Sequence, residues 1–132
     1  MKPLLLALLL AASTAHAYTG KELREDCQAA EDIYAADRNA DPFRSPRAAR
    51  CVAYIEGFAD GYAVSDHLAA SIGVRLDAFC LPTGRDLSFR LVRAVLAQLD
   101  RQPVNTDTST AALLASALSR SFPCSAPLER GK

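Results

Sequence analysis

The sequence has no net charge, few histidines and no C-x-x-C pair, and each shortage argues against a class of function. A formal net charge of zero without a basic stripe argues against nucleic acid as a partner. Only His67 would survive export, since His16 lies in the N-terminal segment, so a histidine-based metal site is not expected. Zinc-ribbon and thioredoxin chemistry have no motif here. No Gly-rich loop follows a strand to hold phosphate, and we expect no cofactor and no metal.

The only long apolar run lies at the N-terminus. Residues 1–17 combine a positive start at Lys2, an apolar stretch and an Ala-x-Ala ending, which predicts a secretory signal cleaved after Ala17. The stretch is too short to span a bilayer and no lipobox cysteine follows it, so no membrane anchor is expected after cleavage. We therefore predict a bacterial periplasmic protein. Residues 18–132 have the size of a single domain, with a frayed tail over 125–132.

Four cysteines lie in the predicted mature chain, and an even number in an exported protein predicts two structural disulfides rather than reactive thiols. Spacing alone leaves three pairings open. Each bridge would close a loop of tens of residues, worth about 3–4 kcal/mol in the chain-entropy model. The cysteines are Cys27, Cys51, Cys80 and Cys124.

Apolar residues recur at intervals of three and four, which predicts an all-α fold: a small compact bundle of four main helices braced by two disulfides. Thr19 and Glu22 form a capping-box pattern at the start of the first helix. Ser45 followed by Pro46 starts the second, which we expect to run to about Ala70.

The last two helices follow polar turns. Asp86 or Ser88 can cap the third helix, and Asp107 or Thr108 the fourth, which Pro123 ends. The third helix should bury Leu91 or Val92, Val95, Leu96 and Leu99. The fourth should bury Ala111, Leu114, Ala115, Leu118 and Phe122.

The second predicted helix carries two glycines, each costing about 1 kcal/mol relative to alanine in a helix interior. With Ala53, Gly57 and Gly61 form a ribbon of small residues that lets another backbone approach closely. We favour close packing against a helix of the same chain, and a dimer seam is the alternative. Tyr54 is either an interface anchor or part of the core rim. The expected core face consists of Cys51, Ile55, Phe58 and Tyr62.

Two carboxylates, Glu56 and Asp60, lie one turn apart on this helix. They could serve a metal or a basic partner, but a solvated face or salt bridges to Arg47, Arg50 or an arginine of the third helix is the favoured interpretation. His67 has no second histidine to work with, and the hydroxyl residues sit in caps and turns. We predict that the chain is not an enzyme and has no catalytic residues.

Three segments in this order, "CVAYIEGFADGY", "FCLPTG" and "ALSRSFPC", resemble the Rap/Tai immunity proteins. These proteins accompany peptidoglycan amidase effectors of type VI secretion. Together with the signal and a cysteine in the first helix, the likeness covers nearly all of the mature chain. One departure is Ala53, where a glycine is expected before the Tyr-Ile pair.

The resemblance implies an all-helical periplasmic protein, often a homodimer, that binds an amidase and blocks its active site. Two rivals remain. One is a small periplasmic stress or folding factor, such as a helical, disulfide-bonded acid-stress chaperone, and the other is a structural subunit of an envelope complex. The balanced charge and the two disulfides favour immunity over the chaperone.

We expect Cys27 to pair with Cys51, because both lie on the predicted inner faces of consecutive helices. We expect Cys80 to pair with Cys124, because these two flank the second helical pair at turn ends that can meet. Recognition tends to lie in polar loops on a rigid scaffold, so we expect the partner surface around the third helix. The predicted contact residues are Arg85, Arg90, Arg93, Gln102, Asn105 and Asp107.

Overall fold

The computed structural model describes residues 17–102 and 108–125, which form four α-helices and one short 3-10 helix. No strand occurs in these ranges, and the predicted all-α class is confirmed. The helices are α1 (Gly20–Ala36), α2 (Pro46–Ser71), α3 (Leu87–Arg101) and α4 (Thr110–Ser121), with the 3-10 turn Pro42–Arg44 between α1 and α2.

Helix ends form where the sequence predicts them for α1 and α2. The Thr19 backbone N–H donates to Glu22 Oε2 at 2.8 Å, and the Glu22 N–H donates to Thr19 Oγ1 at 3.2 Å, which completes the capping box. Ser45 caps α2 with Pro46 in its first turn. At the other end Gly73 adopts φ +80°, a left-handed conformation that glycine tolerates best after a helix.

The start of α4 differs from the prediction. Ser109 is the N-cap, and its Oγ accepts the Ala112 backbone N–H at 3.2 Å; Thr108 precedes the cap, and Asp107 lies outside the described residues. The predicted burial of Ala111 and Ala115 is wrong, because both are exposed. The buried face of α4 is shifted by about one residue from the predicted face. That face consists of Thr110, Leu113, Leu114, Ala117 and Leu118.

The core lies where α1 packs on α2 and α3, and α3 packs on α4. The buried face of α3 is as predicted, although its N-cap residue Asp86 makes no side-chain capping bond. Burial of apolar area at about 25 cal/mol per Å² makes this cluster the main stabilising term of the fold. Its fully buried side chains include Leu23, Ile55, Leu91, Leu99, Leu114 and Leu118.

The two disulfides join segments that are distant in sequence. Cys27 and Cys51 lie in the core with their Sγ atoms 2.07 Å apart, and they connect α1 to α2. Cys80 and Cys124 lie 2.04 Å apart and connect the segment before α3 to the segment after α4. Beside this second bridge the Cys80 N–H donates to the Phe122 carbonyl at 2.8 Å. The pairs are those proposed from the sequence.

Helix α2 continues beyond the core. Its last buried residue is Ala59, and the half-buried Phe58 and Tyr62 pack on the ring of Phe79. Phe58 and Tyr62 therefore face inward as predicted. The ring that they cover is that of Phe79, which lies in the loop after α2. After them the helix runs for two more turns with most of its side chains exposed.

The small-residue ribbon of α2 faces solvent. Ala53, Gly57 and Gly61 are exposed, and a Cβ built on either glycine would have no neighbour within 4 Å. Close packing of this ribbon inside the chain is therefore wrong. The reason is that α2 turns its opposite face, with Cys51 and Ile55, toward the other helices.

Candidate interaction surfaces

A buried carboxylate braces the start of the fold. Asp26 is 1% exposed and accepts hydrogen bonds from Tyr18 Oη at 2.7 Å, from Arg50 Nε at 2.6 Å and from Arg47 Nε at 3.3 Å. Burial alone would raise the pKa of Asp26, but the hydrogen bonds from Arg50, Tyr18 and Arg47 outweigh it and lower the pKa below its ordinary value. The carboxylate is therefore ionised at neutral pH and ties α1 to α2.

Tyr18 connects this cluster to Tyr54 of α2 and to the start of α4. Its ring lies 4.8 Å from the ring of Tyr54 in an edge-on arrangement, and its carbonyl accepts the Thr110 hydroxyl at 2.5 Å. Burial, followed by the hydrogen bond to Asp26, raises the pKa of the Tyr18 phenol, which stays protonated. Tyr54 is half-buried and belongs to the rim of the core.

The two carboxylates of α2 have separate surroundings. Glu56 Oε1 accepts the Ser88 hydroxyl at 2.5 Å and so links α2 to α3, whereas Asp60 is exposed. Asp60 thus lies on a solvated face, one of the two expected alternatives. Salt bridges to Arg47 or Arg50, the other alternative, do not form, because those arginines bind Glu25 and Asp26 of α1. Within residues 17–102 and 108–125, no three His, Cys, Asp or Glu side chains gather as metal ligands do.

The predicted contact residues fall in different places on and beside α3. Arg85, Arg90, Arg93 and Gln102 are exposed, while Asn105 and Asp107 lie outside the described residues. Arg90 and Arg93 line one groove, and Arg85 and Gln102 do not. Arg85 and Gln102 lie beyond the two ends of this 15-residue helix, about 20 Å apart, so only Arg90 and Arg93 of the predicted set share one groove.

The groove beside α3 has arginines on its rim and phenylalanines on its floor. The guanidinium carbon of Arg38 lies 5.2 Å from the centre of the Phe89 ring, and that of Arg93 lies 5.9 Å from it. The same atom of Arg90 lies 5.7 Å from the Phe122 ring. The groove is a shallow depression, wide open to solvent, with a volume of ≈ 510 Å³. We call it the arginine groove, defined by Arg38, Phe89, Arg90, Arg93, Ser121 and Phe122.

Part of the arginine groove could have been found in the sequence. Phe89 and Arg93 are four residues apart, a spacing that brings an aromatic ring and a cation together on one helix face. Arg38 gives no such signal, because it lies just past the end of α1 and reaches α3 only through the tertiary fold. Phe122 likewise enters from the end of α4.

A second surface runs along the exposed side of α2. Val64, Leu68 and Ile72 are 59%, 61% and 79% exposed, which is unusual for large apolar side chains in neighbouring turns. They continue the line of the small-residue ribbon toward the end of the helix. We call this line the α2 apolar face, defined by Ala53, Gly57, Gly61, Val64, Leu68 and Ile72.

The fold and these surfaces define a class: a small helical domain, braced by two disulfides, that exposes an arginine-lined groove and an apolar helix face. Within the described ranges, no helix combines the length and the apolar character needed to cross a membrane.

The family model of the Rap1a immunity proteins matches residues 19–124, and the chain belongs to this family. The resemblance to Rap/Tai immunity proteins is thereby confirmed. Membership indicates an immunity protein for a secreted effector. The comparison with curated proteins and the comparison with solved structures gave no match.

Proposed function

We propose that this chain is a periplasmic immunity protein that binds and inhibits a peptidoglycan amidase effector of type VI secretion. The family match over residues 19–124 is the observation that carries the proposal, because it spans all four helices and all four cysteines. The proposal that the target is a peptidoglycan amidase rests on the resemblance to Rap/Tai proteins. The proposal that the protein acts in the periplasm rests on the secretory pattern of residues 1–17. The protein acts by binding, not as an enzyme, and needs no cofactor.

The architecture supports an inhibitor that is rigid before contact. One disulfide and the Asp26 cluster fix α1 on α2, and the second disulfide ties the segment before α3 to the end of α4. A surface fixed in advance loses less ordering entropy when it binds. Such a body can cover the cleft of an enzyme without rearranging.

The direct test is binding between two purified proteins. Residues 18–132 with both disulfides formed are mixed with a candidate type VI amidase effector, and an amidase gene next to this one, where the genome has one, is the first choice. Calorimetry measures the affinity, and size-exclusion chromatography detects the complex. We expect one stable complex, and a glycosidase that cuts the glycan strand serves as the mismatched target. Absence of binding at micromolar concentration contradicts the proposal. A folding factor would instead suppress aggregation of an unfolded client, and an envelope subunit would co-purify with an envelope complex.

We also propose that two copies associate through the α2 apolar face. In an antiparallel pair centred between Tyr62 and Ala63, each small residue of one copy faces a large apolar residue of the other. The facing pairs are Ala53 with Ile72, Gly57 with Leu68, and Gly61 with Val64.

Three observations support this pairing: the face is exposed, its glycines have open space around them, and its small and large halves are complementary. A two-fold axis uses the same patch on both copies, so a self-complementary face closes into a dimer. Light scattering and sedimentation at micromolar concentration should give the dimer mass, and Leu68→Glu should give the monomer. The control is His67→Glu, which introduces the same charge at the exposed residue next to Leu68. A monomeric wild type contradicts the dimer and leaves the fold unaffected.

A further inference from the structure

The arginine groove carries charge of one sign. No Asp or Glu lines it, although Glu31 and Asp37 line a neighbouring depression that shares Arg38, Phe89 and Arg93 with the groove. Arg93 donates to Glu31 Oε1 at 2.8 Å, so its charge has a counter-charge. Arg38 and Arg90 form no ion pair with any residue in the described ranges. Arg38 and Arg90 therefore line the groove with no ion-pair partner among the described residues.

Aromatic rings hold these two arginines in place. Arg38 lies over Phe89 and Arg90 lies over Phe122, each within the range of a cation–π contact. Phe122 is itself fixed, because its N–H donates to the Leu118 carbonyl and its carbonyl accepts the Cys80 N–H, both at 2.8 Å. A side chain that already occupies its binding rotamer loses less entropy on contact. The edges of both guanidiniums remain available as paired donors.

From these observations we propose that the arginine groove receives an acidic side chain from the surface of the effector, and this rests on the proposed function. A carboxylate binds between Arg38 and Arg90, because guanidinium forks match carboxylate oxygens in geometry and charge. The floor of phenylalanine and alanine favours an apolar residue beside the acidic one. The partner segment is thus an Asp or Glu next to an apolar side chain, presented on a protruding part of the amidase.

The test compares the affinity of the amidase for two charge-reversal variants. Arg38→Glu combined with Arg90→Glu should raise the Kd at least about tenfold, since close charge pairs at interfaces couple strongly. Arg101→Glu, on the same helix and about 16 Å farther along its axis, should leave the Kd within about twofold. Arg38→Gln combined with Arg90→Gln removes the charges without adding new ones, and far-UV circular dichroism verifies the fold of every variant.

Two further measurements distinguish recognition by charge from a general loss of shape complementarity: the dependence of affinity on salt and a compensating substitution in the amidase. Between about 50 and about 500 mM NaCl the wild type should lose affinity more steeply than the glutamine variant, because screening acts on the charges that remain. Substituting the contacting acidic residue of the amidase by arginine should restore binding to the double glutamate variant.

Three outcomes overturn the inference. If the amidase binds the wild type and the double glutamate variant equally, the groove is not the contact site and the proposed function stands. If the groove variants instead lose affinity for a soluble peptidoglycan stem peptide while amidase binding is unchanged, the groove recognises cell-wall carboxylates. If no amidase binds the wild type, the proposed function fails, and this inference fails with it.

Discussion

At the scale of single residues, Asp26 shows how a charged side chain can lie in the core of a small domain. Its neighbours in sequence, Glu25 and Cys27, do not mark it as buried. A signal is nevertheless present, because Asp26 precedes Cys27 and Arg50 precedes Cys51. Once that disulfide forms, the two preceding residues lie on adjacent helices at the same level, and opposite charges there pair. The predicted Cys27–Cys51 bridge therefore already implied this ion pair.

Removing the charge of Asp26 tests this cluster. Asp26→Asn should lower the free energy of unfolding at pH 7 by about 1–3 kcal/mol, because an amide cannot accept from Arg50 and Arg47 as a carboxylate does. Urea unfolding monitored by circular dichroism measures the change. Asp32→Asn, on the exposed side of the same helix, should stay within about 0.5 kcal/mol. Equal effects of the two substitutions would contradict the structural role of Asp26.

The lowered pKa of Asp26 also makes stability depend on pH. Because the folded-state pKa lies below the unfolded value of about 3.9, the ionised group stabilises the fold above that value. The stabilisation is lost as the pH falls through the folded-state pKa. The stability difference between the wild type and Asp26→Asn should therefore be constant near neutrality and shrink on acidification below about pH 4. A difference that stays unchanged down to pH 2 would contradict the assignment.

At the scale of elements, periodicity predicts which residues share a helix face but not whether a neighbour covers that face. The pattern identified the buried face of α3 and the small-residue ribbon of α2. It could not show that α2 is longer than the body it packs on, which leaves the ribbon and its apolar continuation exposed. For α4 the error arose from the cap, because three consecutive hydroxyl residues, Thr108, Ser109 and Thr110, compete for that position.

The exposed glycines of α2 allow a test in which two similar substitutions have opposite signs. Gly57→Ala should stabilise the monomer by about 0.5–1 kcal/mol, because the helix is regular there and a Cβ meets no neighbour. Gly73→Ala should destabilise it by about 1–2 kcal/mol, because its φ of +80° strains any side chain. Thermal unfolding at low protein concentration, where dimers dissociate, measures both. A destabilised Gly57→Ala monomer would mean that another part of the chain packs there.

The cap of α4 can be checked in the same way. Ser109→Ala should cost about 1 kcal/mol, because the Ala112 N–H loses its acceptor. Thr108→Ala, one position earlier, should change the free energy of unfolding by less than about 0.5 kcal/mol. If Thr108→Ala has the larger effect, the helix begins one residue earlier than in this structure.

At the scale of the whole molecule, the two disulfides differ in access. Cys27 and Cys51 are fully buried, whereas Cys80 is exposed. Mild dithiothreitol under native conditions should therefore open Cys80–Cys124 first, and Cys27–Cys51 only on unfolding. Alkylation and mass spectrometry of timed samples measure the order. Non-reducing peptide mapping should recover the same pairs, and a peptide linking Cys27 to Cys80 would contradict the connectivity.

The family could be recognised from the sequence because its motifs keep their order and spacing through the cysteines. The arginine groove could not, because it combines residues from segments that meet only in the folded chain. Arg38, from the end of α1, joins Arg90 and Arg93 of α3, and Phe122 enters from the end of α4. Predicted contact residues chosen by polarity near α3 therefore included two of the three groove arginines and missed the third.

Inhibition of the amidase by this protein tests the central claim most directly. A fixed concentration of the amidase effector is titrated with residues 18–132, both disulfides formed, while the release of cross-linked peptide from purified peptidoglycan is measured. We predict that hydrolysis falls in proportion to added protein and ceases when every amidase molecule is bound at equimolar ratio. The double glutamate variant of Arg38 and Arg90 should require a higher concentration for the same effect. Hydrolysis that continues at the full rate in the presence of equimolar wild-type protein would contradict the account.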